Sequence, residues 1–195
     1  GTYLALYWVL DGYHDVWNRW AVDQVKALHR AGRMFSERDH VHTLLYRYAW
    51  QYSRDPEGLP AELALDHPSQ GLVAVIADRA EDLDAAEFEA WHTQEHLPSL
   101  LRGSPVRLVI GADPLPLLID APGDVPRTEA DDRRQLTLWF SDVHTTDALT
   151  GVIASHRRAL EDSGKGRVVA ALGFVPTIPG TDTYTDQLWV EEDHG

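Results

Sequence analysis

His92, Glu95 and His96 place two imidazoles and a carboxylate within five consecutive positions beside Trp91, in the run Glu87-Phe88-Glu89-Ala90-Trp91-His92-Thr93-Gln94-Glu95-His96-Leu97-Pro98. On a helix, residues four apart share a face, so His92 and His96 line up, with Trp91 and Glu95 close by. Imidazole is the side chain best placed to exchange protons near neutral pH, and a neighbouring carboxylate can fix its tautomer and raise its pKa. The spacing therefore predicts an acid–base group with His96 as the base, Glu95 orienting it and His92 as a second member. Arg107, Tyr46 and Tyr48, in strand-like segments, are predicted to polarise a carbonyl or hold an enolate. A purely structural reading competes with this one. It sets His96 at a helix C-terminus, where an imidazolium meets the helix dipole, with Glu95 solvated and Pro98 ending the helix.

The same residues spell His-x-x-Glu-His, the order of a zinc-hydrolase motif in which the histidines bind the metal and the glutamate activates water. That reading needs a third ligand, for which Glu161 and His156 are the candidates. A five-residue match is a weak signal, and no metal site is expected. His40 and His42 flank Val41 at a strand start and point to one face, most simply a solvated edge. His144 and His156 are expected at the surface, His156 on the polar side of its helix. Gly164-Lys165-Gly166 is a short turn without the spacing of a phosphate-binding loop, so no nucleotide cofactor is implied.

Composition limits the classes these groups can serve. The chain has 195 residues, 44% apolar and 25% charged, enough for a sizeable core in one or two small domains. Its 17 basic and 31 acidic residues give a net charge of −14, which opposes broad contact with nucleic acid or anionic lipid. A small-molecule partner is expected instead. The absence of cysteine removes disulfides, thiolate metal sites and cysteine nucleophiles, and fits a cytoplasmic setting. No membrane span or signal peptide is visible, although Gly1 in place of Met points to a tag remnant or a trimmed start, leaving a removed targeting segment open.

The elements that must position the cluster follow from apolar periodicity. Tyr3 to Leu10 reads as a strand, Val16 to Ala31 as an amphipathic helix and Val41 to Tyr52 as a strand. Leu72 to Ala77 reads as a buried strand, Ala85 to Leu101 as a helix ended by Gly103, and Val106 to Gly111 as the returning strand. Leu136 to Phe140, Thr145 to Asp162 and Arg167 to Ile178 repeat the strand, helix and strand order, with Leu149, Val152, Ile153 and Leu160 along one stripe. The expected class is α+β: βαβ repeats in a ferredoxin-like βαββαβ order, forming an antiparallel sheet with helices on one face. Residues 1–66 form a degenerate first unit, 67–180 the main domain and 181–195 an acidic, solvated tail. The opposite sheet face then needs a cover. Trp8, Tyr46, Tyr48 and Trp139 lie in predicted strands, where a second sheet could close over an apolar cavity lined by these rings and Trp91.

The run from Leu72 to Arg107, with Asp78-Arg79 after the strand, Phe88-Glu89-Ala90-Trp91-His92 in the helix and Glu95-His96-Leu97-Pro98 at its end, resembles the EthD-like branch of the dimeric α+β barrel proteins. The likeness is strongest over about residues 70–111 and extends by pattern to about residue 178. It implies a homodimer whose sheets pair into a barrel, and cofactor-free chemistry on a small apolar, aromatic or polyketide-like compound by a cyclase, dehydratase, isomerase or monooxygenase. A non-catalytic ligand-binding or assembly module is the other class compatible with such a cavity. The first unit can be laid over the later one with Trp20 on Trp91, in which case Gln24 and Val25 replace Glu95 and His96, leaving one active half per chain.

Overall fold

The computed structural model describes residues 3–33, 44–116, 130–144 and 147–176. Helix α1, His14–Arg30, precedes strand β1, Leu45–Ser53, and a short 3₁₀ turn, Ala61–Leu63. Strand β2, Gly71–Arg79, leads into a helical rod made of α2, Ala85–Ala90, a π-helical turn, Trp91–His96, and α3, Leu97–Leu100. Strands β3, Val106–Leu115, and β4, Arg134–Ser141, helix α4, Asp147–Asp162, and strand β5, Gly166–Phe174, complete the described chain.

All five strands join one antiparallel sheet in the order β1-β3-β4-β2-β5. Period-two alternation sorts their side chains onto two faces. One face carries Trp50, Val73, Val75, Ala77, Val109, Trp139 and Val168, which pack against Phe88, Trp91, Leu97, Leu101, Leu149, Ile153 and Leu160 of the helical layer. Asp84 starts the rod, its carboxylate accepting from the Ala86 N–H at 2.8 Å. Gly103 stops it in a left-handed conformation, φ +73°, that a residue with a Cβ adopts only under strain.

The other face carries Leu108, Ile110, Leu136, Leu138 and Phe140, covered by Leu6, Leu59, Ala61 and Ala64 of the same chain. Trp8 ties this cover down, its Nε1–H donating to the Ala61 carbonyl at 3.1 Å. Part of the face is thus closed by the chain itself rather than by a second sheet. The β2 and β5 half is more open, and Leu172, opposite Ala74, is 47% exposed.

The N-terminal third departs from the sequence reading. Tyr3 to Leu10 forms no strand: Leu6 packs on the sheet and Trp8 bonds to Ala61, while Tyr3, Tyr7 and Leu10 are exposed. Strand β1 lies at the edge of the one sheet, beside β3. The overlay of Trp20 on Trp91 also fails. Trp20 is 59% exposed, whereas Trp91 is 8% exposed and belongs to the core. The acidic tail, 181–195, and His40 and His42 lie outside the described residues.

Candidate functional site

Helix α4 presents Leu149, Ile153, His156 and Leu160 on one buried stripe, spaced by four, three and four residues. The rod α2-π-α3 presents Phe88, Trp91, His92 and His96 toward the same interior. The π-turn widens the helix over Trp91–His96, and π-turns of this kind recur at functional sites. Three histidines therefore meet between the helices and the sheet.

His96 Nε2 and His156 Nδ1 are 2.9 Å apart and share one hydrogen bond, so one ring is the N–H donor and the other the acceptor. His92 Nδ1 is 3.1 Å from the Phe88 carbonyl oxygen, which only accepts, so the hydrogen lies on Nδ1 and the lone pair on Nε2. Aromatic rings wall the cluster. His96 stacks on Trp91 at 4.5 Å with the planes 5° apart, His92 stacks on Trp50 at 5.3 Å, and His156 packs against Trp139 at 4.9 Å. The Trp139 Nε1–H donates to Thr137 Oγ1 at 2.8 Å.

This apolar surround favours the uncharged imidazoles. Burial pushes His92 down to about 3, with its hydrogen bond to Phe88 opposing and His96 adding to the shift. Burial alone pushes His96 down to about 4. His156 lies well below the ordinary histidine value, through burial first and then its two histidine neighbours. All three are neutral at physiological pH, as proton-exchanging or hydrogen-bonding groups rather than cations.

Comparison with protein-family models, curated proteins and solved structures finds no match.

The geometry revises several roles read from sequence. Glu95 is exposed, and the hydrogen bond of His96 goes to His156. His156 is 1% exposed, not a surface residue, because the apolar stripe of α4 runs through it. Glu95 is exposed whereas His92 and His96 are buried, which disfavours the zinc-hydrolase arrangement. Glu161 is exposed, and among the described residues no group of three His, Asp or Glu side chains is placed to hold a metal ion.

The predicted ligand-binding residues divide. Trp91 and Trp139 wall the histidines. Tyr46 packs on the opposite sheet face, where burial pushes its phenol up to about 12 against the lowering effect of Arg134. Tyr48 stands opposite Ala112 on that same face and is 54% exposed. Arg107 is paired with Asp142 at 2.8 Å near the surface. Trp8 belongs to the cover of the opposite face, at an open groove of about 360 Å³ lined by Tyr13, Trp17 and Trp20 among others. That groove is formed by α1 and the segment before it, whereas the histidines lie between the rod, α4 and the sheet.

Two participants take roles that the sequence reading does not give them, His156 entering it only as a candidate third metal ligand. His156 was legible in principle, since it falls on the helical stripe of Leu149, Ile153 and Leu160. Trp50 closes the site from β1 over Gly111, and an isolated glycine within a strand is the recognised mark of such a close approach.

Proposed function

We propose that this chain is a cofactor-free enzyme that acts on a small apolar, aromatic or polyketide-like compound by proton transfer, as a cyclase, dehydratase or isomerase. The hydrogen bond between His96 and His156 carries the reading. It couples two neutral imidazoles inside an aromatic wall. When His96 takes a proton on its other ring nitrogen, His156 can accept a hydrogen bond from the resulting imidazolium and so stabilise it. His96, at 9% exposure, is the more accessible of the pair and moves the proton; His156, at 1%, positions it. His92 adds a fixed lone pair on Nε2.

The wider reading is an EthD-like, dimeric α+β barrel. The βαββαβ order of β2 to β5 and the placing of the rod and α4 on one sheet face support a ferredoxin-like plan, to which β1 adds an edge strand. The half-open β2 and β5 face supports pairing with a second copy. The competing class, a non-catalytic binding module, draws on the tight ring packing around His92, which is 1% exposed.

Native mass spectrometry of the protein as purified, without added metal, is expected to report a dimer carrying an organic adduct. A bare monomer would count against both the barrel and the ligand. With the adduct's chemistry known, His96→Gln should lower turnover by about 10²-fold or more while the ligand still binds. Unchanged turnover would remove the proton-transfer role, and binding without any turnover in the unaltered protein would favour the non-catalytic module.

A further inference from the structure

Trp50 is 4% exposed, and its Nε1–H is fully buried with no acceptor among the described residues. An orphaned buried N–H costs free energy comparable to a lost hydrogen bond, so its persistence calls for a physical reason. The ring is held on two sides. It stacks on His92 at 5.3 Å, and it lies across Gly111, where an added Cβ would fall within 2.5 Å of Nε1 and Cζ2. Register then carries the row onward: Trp50 stands opposite Gly111, Gly111 opposite Thr137, and Thr137 opposite Val75.

A second orphan lies in the adjacent row of the same face. Gln135 is 7% exposed, and its Oε1 is buried without a donor. Its Nε2 donates to Asp113 Oδ1 at 3.1 Å. A carboxylate only accepts, so this bond fixes the amide orientation and leaves Oε1 as the unmatched atom. Gln135 and Thr137 are two positions apart on β4, about 7 Å along the strand. The third buried orphan, Ser53 Oγ, packs against the Gly58 turn and belongs elsewhere.

We propose that the site takes an enolisable hydroxy-carbonyl compound, whose carbonyl oxygen accepts from Trp50 Nε1–H and whose hydroxyl donates to Gln135 Oε1. This inference rests on the proton-transfer reading and names its substrate class. In the step it implies, His96 removes a proton from the carbon next to the carbonyl. The C–H bond breaks and an N–H bond forms. The C–H electron pair becomes the C=C bond of an enolate, and the carbonyl π pair moves onto oxygen, where the indole N–H stabilises it. In the dehydration case the enolate re-forms the carbonyl as the β C–O bond breaks. The departing oxygen takes the proton from His96 and leaves as water, which restores the neutral imidazole. No oxidant or reductant is required.

The test uses the full-length ¹⁵N-labelled protein and two probes with one carbon skeleton, benzoylacetone, which enolises to a hydroxy-enone, and butylbenzene, which has neither polar group. The Trp50 indole cross-peak is assigned by its loss in Trp50→Phe. Benzoylacetone should move that peak downfield, and butylbenzene should not. Trp50→Phe and Gln135→Met should each weaken benzoylacetone binding about tenfold, the size of one lost hydrogen bond, and leave butylbenzene binding unchanged. If no indole cross-peak of the unaltered protein moves with benzoylacetone, the proposal is overturned even if neither variant folds. Equal affinity of Trp50→Phe for benzoylacetone overturns it as well. The underlying reading fails separately. If the indole peak responds but His96→Gln leaves turnover intact, the proton-transfer role is lost while the carbonyl site stands; if the purified protein carries an adduct with catalysis but the indole is silent, the reverse holds.

Discussion

Replacing His156 by leucine would strand His96 Nε2 inside a wall of Trp91 and neighbouring rings with no partner. Leaving a buried polar atom unsatisfied costs about 1–3 kcal/mol, and in a protein of this size each kcal/mol lowers Tm by about 2–4 °C. His156→Leu is therefore expected to melt several degrees lower by calorimetry, and His156→Gln, which can still hydrogen-bond, to recover part of the loss. Equal melting of His156→Leu and the parent would mean that the bond contributes nothing to stability. The same histidines set a pH dependence. Their pKa values are depressed in the folded state, to about 3 for His92 and about 4 for His96, from about 6.5 in the unfolded chain. The unfolded state therefore binds more protons between these limits. Stability is fully present above about pH 6.5 and falls as the pH drops toward 4 and then 3, by up to about 1.4 kcal/mol per pH unit for each histidine. The urea midpoint should be lower at about pH 5 than at about pH 7. A flat profile would mean that the rings are not buried as neutral groups.

At the scale of elements, strand β3 and the π-turn decide where these side chains meet. Gly111 gives the Trp50 indole its place against the sheet, and the indole in turn backs His92. Gly111→Ala would drive a methyl group into that ring. Overpacking of this kind costs about 1–3 kcal/mol, so a lower Tm and a changed near-ultraviolet circular dichroism of tryptophan are expected, with the far-ultraviolet spectrum retained. A fully native near-ultraviolet spectrum would contradict the close approach. The helical rod was legible in sequence from Ala85 to Leu101, with its stop at Gly103, since its apolar spacing and C-terminal glycine are local signals. The π-turn inside it was not, because the choice between i→i+4 and i→i+5 bonding depends on how the rod seats on the sheet. Pro98 likewise does not end the rod. It sits in the first turn of α3, where its missing N–H is tolerated.

For the whole molecule, the question is what closes the outward face of β2 and β5. Leu172 projects there beside Ala74 at 47% exposure, with Leu72 and Ile76 partly buried on the same face. If a second copy pairs against this face, Leu172→Asp would place a charge in the interface, and sedimentation should shift toward monomer while the circular dichroism stays native. A dimer that survives the substitution would remove sheet pairing through this face. Among the described residues no helix is long and apolar enough to cross a membrane. The surface of a chain with net charge −14 is also poorly suited to a polyanion.

Amino-acid order alone determined the α+β class, the run of strand, helix, strand, strand, helix and strand after residue 70, and the singling out of Trp91, His92 and His96, because hydrophobic period and helix punctuation are written locally. It misread Tyr3 to Leu10 as a strand, since an apolar run does not by itself supply the partner strand a ladder needs. It also gave Glu95 the role of His156, because adjacency in sequence stood in for adjacency in space. Sixty positions separate His96 from His156, and only the packing of α4 beside the rod brings their nitrogens to 2.9 Å. Tertiary structure alone likewise decided that Tyr46 and Tyr48 face away from the histidines, that Trp50 faces toward them, and that burial holds the three imidazoles neutral. Facing and burial are properties of the assembled layers, set by register and by which surfaces meet, and no local stretch of sequence encodes them.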